Sequence, residues 1–205
     1  MNLSENFNLI PLFSKPIYLN KINISLKEEK ILKKEIEKLK FIKIKNSVSM
    51  SENIEILKIN ELNFFKKKLI KEVENYTKNI LKYQNNFMIT TSWITNTKIN
   101  EVSTSHRHTN SMLSGVFYIE CDEKLDAISF TNFNGSGWGL KPKEYNIYNS
   151  SEYKIGVKKH SLILFPSETV HRIEKHNIKK ERISIAFNLI PTGLIGENDS
   201  TLQIT

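Results

Sequence analysis

At 205 residues, with 39% hydrophobic and 25% charged residues, the chain is long and apolar enough to bury one core, which excludes wholesale disorder and argues against two independent domains. Its formal charge of +8 invites a nucleic-acid reading, but the lysines are spread over 27–45 and 66–82 and interleaved with Glu, the pattern of a solvated, mildly basic face. A single cysteine, Cys121, the lack of a basic and apolar leader in residues 1–9, and no apolar run near the ~18 residues that span a bilayer predict a cytosolic protein in a reducing compartment, away from membranes.

Residues 9–24, interrupted by Pro11 and Pro16, read as short extended pieces suited to a sheet edge. Ser25 and Glu28 have the spacing of a capping box, and Ile31, Leu32, Ile36 and Leu39 follow at helical intervals. A longer helix is predicted over 60–82, where Leu62, Phe65, Leu69, Val73, Tyr76, Ile80 and Leu81 trace one apolar stripe. Such stripes pack against a core, and no chemistry is assigned to either helix.

Beyond residue 83 the period changes to two. Strands are predicted over 87–95, 112–120, 127–133, 161–165 and 182–189. Residues 135–139, with Trp138 between glycines, read as a loop; 142–153 read as a loop or lid, and the tail after Gly193 as frayed. Two helices followed by many short strands imply an antiparallel barrel or sandwich backed by helices, a mainly β fold. Trp93, Phe117, Tyr118, Phe130 and Phe165 are predicted core residues. Cys121, ending a strand pattern, reads as a small buried thiol rather than a nucleophile.

The chemistry-bearing residues are histidines and one arginine. His106 and His108, two apart on an extended segment, share one face and can reach one divalent ion together, with His171 closing the site from elsewhere. In the last strand Arg182, Ser184, Ala186 and Asn188 alternate with Ile183, Ile185, Phe187 and Leu189, giving one small polar face and one apolar face. An inward Arg182 needs a partner to offset desolvation, and an incoming carboxylate, with Ser184 adding a hydroxyl, supplies one; an outward Arg182 would simply be solvated. If His176 and Asn177 form a two-residue hairpin turn, His171 lies opposite Arg182. His160 and His176 sit among polar turn residues and read as surface histidines.

The stretches HRHTNSMLSGVFYIE, LILFPSETVHRIE and ERISIAFN, in this order and spacing, resemble the iron(II)- and 2-oxoglutarate-dependent oxygenase superfamily, in particular a branch with a His-x-His-x-Asn-Ser stretch running into Ser-Gly-Val-Tyr-Tyr. The resemblance covers about half of the chain, roughly residues 90–189. It implies a double-stranded β-helix (a jelly roll, cupin-like) with iron at its mouth, built as one domain over 1–205: an N-terminal strand and supporting helices over 1–84, the jelly-roll core over 85–192 and a tail over 193–205. It implies His106 and His171 as iron ligands, and Arg182 with Ser184 as the grip on the far carboxylate of 2-oxoglutarate.

At position 108 the superfamily has Asp or Glu where this chain has His. Two ligand sets follow: His106, His108 and His171, as in three-histidine cupin dioxygenases, or two histidines completed by Glu101, Asp122 or Glu168. Asn110 and Ser111 are candidates for binding the cofactor or orienting a ligand, or else turn residues, and Tyr118 for lining the cofactor pocket. The activity so implied is hydroxylation of an unidentified small-molecule or peptide substrate with release of succinate and carbon dioxide. Its alternatives are a three-histidine dioxygenase that works without 2-oxoglutarate and a non-catalytic jelly-roll binding module. The loop over 141–156 is the expected seat of selectivity, and the N-terminal helices could cover a homodimer interface as well as the barrel.

Overall fold

The computed structural model describes residues 10–44, 47–132, 139–176 and 179–205. Strand β1 (Tyr18–Lys21) leads into helix α1 (Leu26–Glu37), and the capping box closes as its spacing demands: Ser25 Oγ accepts from Glu28 N at 3.3 Å while the Glu28 carboxylate accepts from Ser25 N at 2.8 Å. Two short strands, β2 (Phe41–Lys43) and β3 (Ser49–Ser51), and two single helical turns precede helix α2 (Asn63–Glu74). A π-helix over Asn75–Ile80 extends α2. Its wider turn shifts the predicted stripe, so Tyr76 and Thr77 are buried and Ile80 is left 48% exposed.

The remaining strands are β4 (Asn86–Thr97), β5 (Leu113–Glu120), β6 (Ala127–Thr131), β7 (Glu152–Gly156), β8 (Ser161–Pro166), β9 (His171–Ile173), β10 (Arg182–Ile195) and β11 (Leu202–Ile204). They form two antiparallel sheets. The larger runs β1-β8-β5-β10-β4-β3-β2, with β11 folded back onto the end of β10, and the smaller runs β7-β6-β9. The jelly-roll expectation therefore holds, with α1 and α2 backing the larger sheet.

Alternation along the central strands divides the interior into two layers. Ile185, Phe187 and Leu189 of β10 and Leu113 and Phe117 of β5 join Leu32, Phe65, Leu69 and Tyr76 in a core between large sheet and helices. Tyr118, Phe165 and Ile163, from the opposite face, meet Ile128 and Phe130 of the small sheet in a second cluster that also takes in Cys121. Burial pushes the Cys121 thiol up to about 12, which suits a packing role. Gly115 permits the layering at its tightest point, since a Cβ there would lie 2.3 Å from Phe187 Cζ.

Several expectations are corrected. Residues 152–156, the end of the loop expected over 141–156 and overlapping the predicted lid at 152–153, form β7, a largely exposed edge strand. The tail expected to fray is instead paired, Gly193 with Ile204 and Ile195 with Leu202. Asn177 and the segment containing Gly135 and Trp138 lie outside the described residues.

Candidate metal centre

The two central strands and the segment preceding β5 build one wall of a cavity of about 480 Å3 between the sheets. His106 and His171 are set side by side on it by backbone pairing: His106 N donates to His171 O and His171 N to His106 O, both at 2.9 Å. His108 follows two residues later on the same face, its own N–H donating to Ser167 O at 3.0 Å. The three rings gather with centroids 4.4–5.3 Å apart, and one donor atom from each lies within 4.8 Å of the others. Among the described residues no carboxylate joins them.

Hydrogen bonding selects the same tautomer in all three. The Nδ1–H groups of His106 and His171 donate to the carbonyls of Thr104 and Thr169 at 2.8 and 2.9 Å, each two residues back. His108 Nδ1 donates to Asn188 Oδ1 at 2.5 Å, and that amide is fixed in turn by Ser114 Oγ, which donates to Oδ1 at 2.9 Å, and by Thr91 Oγ1, which accepts from Nδ2 at 3.1 Å. Each Nε2 is left with a lone pair, the form in which imidazole binds a metal. Burial holds His171 down to about 3 and lowers His108 as well, so both keep that lone pair at neutral pH. The donor set therefore fits a divalent transition ion with nitrogen preference.

The acids considered for the third ligand are occupied elsewhere. Glu101 pairs with Lys43, Asp122 Oδ1 accepts from Lys124 N and Leu125 N, and Glu168 meets Lys15 at 3.2 Å.

Arg182 is inward, with 1% exposure. It pairs with Thr97 on β4, and His171 pairs with Phe130 on the other sheet, so the expected apposition of His171 and Arg182 does not occur. Arg182 Nη1 reaches Asp126 Oδ1 at 3.4 Å, while Nη2 is buried without a partner. Asp126 Oδ1 also accepts from His176 Nδ1 at 2.8 Å. His176, expected at the surface, is 1% exposed and also bonds the carbonyl of Lys180. His160, also expected at the surface, is half-buried, stacked on Phe117 with centroids 5.9 Å apart.

Ser184 and Tyr118, cross-strand partners beside Arg182, line the cavity, as do Ala186 and Asn188. Burial raises the Tyr118 hydroxyl, which stays protonated and able to donate. Asn110 does not line the cavity: it is exposed at φ 55°, and with Ser111, whose hydroxyl donates to Thr109 O at 3.4 Å, it takes the turn role. Trp93, expected in the core, is half-buried on the cavity wall 5.6 Å from the His108 ring. The cavity is also lined by Ile44, Ser47, Val48 and Met50 of the β2–β3 hairpin and by no described residue of the 141–156 loop.

Sequence reasoning missed Asp126, His176, Ser114 and Ser167. Of these only Asp126 carries a local signal, an acid flanked by Leu125 and Ala127 at the very start of an apolar strand.

Residues 91–188 match the family model described as "Putative 2OG-Fe(II) oxygenase". A search among curated proteins finds no match to the sequence. Among solved structures, an oxidoreductase of the 2OG-Fe(II) oxygenase family from Burkholderia pseudomallei is similar with a TM-score of 0.62 and 6% identity, over 84% of this chain and 83% of that one. HygX from Streptomyces hygroscopicus, determined with nickel, 2-oxoglutarate and hygromycin B bound, is similar with a TM-score of 0.62 and 9% identity, over 87% and 84%. A Pseudomonas putida prolyl-4-hydroxylase follows with a TM-score of 0.56 and 11% identity, over 85% and 93%. At these identities the structural likeness is one of fold.

Proposed function

We propose that this chain, whose residues 91–188 match the model described as "Putative 2OG-Fe(II) oxygenase", holds iron(II) on His106, His108 and His171, receives the far carboxylate of 2-oxoglutarate at Arg182, flanked by Ser184 and Tyr118, and hydroxylates a small molecule. The observation that carries the reading is the convergence of three imidazole donors within 4.8 Å on the wall of the cavity between the sheets. Arg182 supports it, because its buried Nη2 lacks the acceptor that would offset its desolvation and a carboxylate is the natural one.

When bound, iron(II) and 2-oxoglutarate supply the oxidative chemistry, in which dioxygen, 2-oxoglutarate and a C–H bond give succinate, carbon dioxide and an alcohol. The chain's own residues position the reactants. Thr104, Thr169 and Asn188 hold the imidazoles by their Nδ1 atoms; Asp126 holds Arg182 at Nη1 and leaves Nη2 available. Tyr118 and Ser184, paired across β5 and β10 two residues from Arg182, contribute hydroxyls to the cavity lining. Trp93, Val48 and Met50 from the β3–β4 side, and Ile173 from the smaller sheet, give the cavity apolar lining that excludes water around a bound substrate.

The all-histidine set also suits a dioxygenase that uses no cosubstrate, and succinate formation separates the two. The deciding measurement is anaerobic titration of iron(II)-loaded protein with 2-oxoglutarate, following the metal-to-ligand charge-transfer band. It is expected in the wild type, weakened at least about tenfold in apparent affinity by Arg182→Ala and abolished by His108→Ala. No band in iron-replete wild type would overturn the reading.

A further inference from the structure

The cavity is markedly one-sided in charge. Among the described residues that line it none is Asp, Glu or Lys, and the one with a permanent charge is Arg107; Arg182, two residues from the lining Ser184, is not among them. Arg107 is exposed, lies between two histidines of the triad, and makes no ion pair among the described residues. A cationic substrate would meet no counter-charge among the described lining residues.

The triad adds to the asymmetry. Three neutral imidazoles leave the two positive charges of iron(II) uncompensated by protein, so a 2-oxoglutarate dianion only brings the centre to neutrality; a carboxylate ligand in place of His108 would have left it one unit negative. The same lining carries apolar and aromatic surface, with Trp93 5.6 Å from His108 and Val48 and Met50 from the β2–β3 hairpin. The cavity, about 480 Å3, suits a small molecule.

Resting on the oxygenase reading above, we propose that the substrate is a small molecule with a planar apolar portion and an acid group, the apolar part lying against Trp93 and Met50 and the acid paired with Arg107 at the mouth. Trp93 offers a flat apolar face, and the guanidinium offers a forked donor that fits a carboxylate. Arg107 is thus a specificity-determining residue rather than a catalytic one. Amines are disfavoured because no described lining residue is an acid, as much as by the presence of the arginine.

The test uses three isosteric probes, phenylpropanoate, phenylpropanol and phenylpropylamine, titrated calorimetrically and anaerobically into protein loaded with iron(II) and saturating 2-oxoglutarate. The acid is expected to bind about tenfold more tightly than the alcohol, and the amine more weakly than either. Arg107→Gln should bring the acid to the level of the alcohol, and Trp93→Leu should weaken all three by a similar factor. An amine that binds as well as the acid, no binding by any probe, or an acid preference that survives Arg107→Gln because the carboxylate sits on the metal or on Arg182, would overturn the proposal. The charge-transfer band of the same samples reports separately on the cosubstrate. A band without acid preference removes this inference alone, whereas Arg107-dependent acid preference without a band removes the cosubstrate reading and leaves the arginine's role standing.

Discussion

Each imidazole of the triad is held at Nδ1, but by acceptors of different kinds. His106 and His171 use backbone carbonyls that no substitution removes, while His108 relies on one side chain, Asn188, braced by Ser114 and Thr91. Asn188→Ala deletes that acceptor and frees the ring to turn. We expect iron(II) affinity, measured by competition with a chelator, to fall about 10- to 100-fold, as for other groups that orient a metal-binding histidine. Unchanged affinity would mean that His108 is not a ligand. His106, His108 and the polar face of β10 were legible because period two places residues two apart on one side wherever the chain is extended. His176 was not: its polar neighbours suggest solvent, and only the fold brings Asp126 over it.

Among the elements, α1 was legible almost to the residue because its start is specified locally by Ser25 and Glu28. Strand β5 shows a different constraint. Gly115 faces Phe187 across the sheet, and a methyl group there would overlap the ring at 2.3 Å. Gly115→Ala should cost about 1–3 kcal/mol in urea unfolding, since the ring is walled in by the helix-side core. Wild-type stability in that variant would show that Phe187 can vacate its place. Strands β2, β3, β9 and β11, three residues each, escaped the sequence reading because alternation needs more positions than they have, and β7 because Tyr153 and Ile155 alone mark its apolar face.

Across the whole molecule, helix layer and sheet are joined by charge as well as by the core. Glu120 at the end of β5 meets Lys33 of α1 at 2.6 Å, Lys180 at 2.7 Å and Lys159 at 3.5 Å, and Glu29 of α1 meets Lys33 and Lys159. Burial alone would raise the Glu120 carboxyl, yet Lys180 and Lys33 hold it at about 2, below its ordinary 4.5. A carboxyl depressed in the folded state stabilises fully above its unfolded pKa, and that contribution is lost as pH falls from about 4.5 towards 2. Discounted for its partly exposed lysines, the loss should be about 1–2 kcal/mol, and Glu120→Gln should flatten the acid limb of stability against pH by that amount. An acid limb unaltered by the substitution would show that the cluster contributes nothing. The same scale separates what was readable in advance from what was not. Local periodicity and capping determined the helices, the long strands, the two-faced character of β10 and the shared face of His106 and His108. Only the tertiary structure decided that His171 pairs with His106 and not with Arg182, that no acid among the described residues joins the triad, and that Arg182 is tethered to Asp126. The physical reason is that periodicity is a property of neighbours along the chain, whereas a strand's partner is chosen by burying two faces at once, and β9 and β10 satisfy that requirement in different sheets.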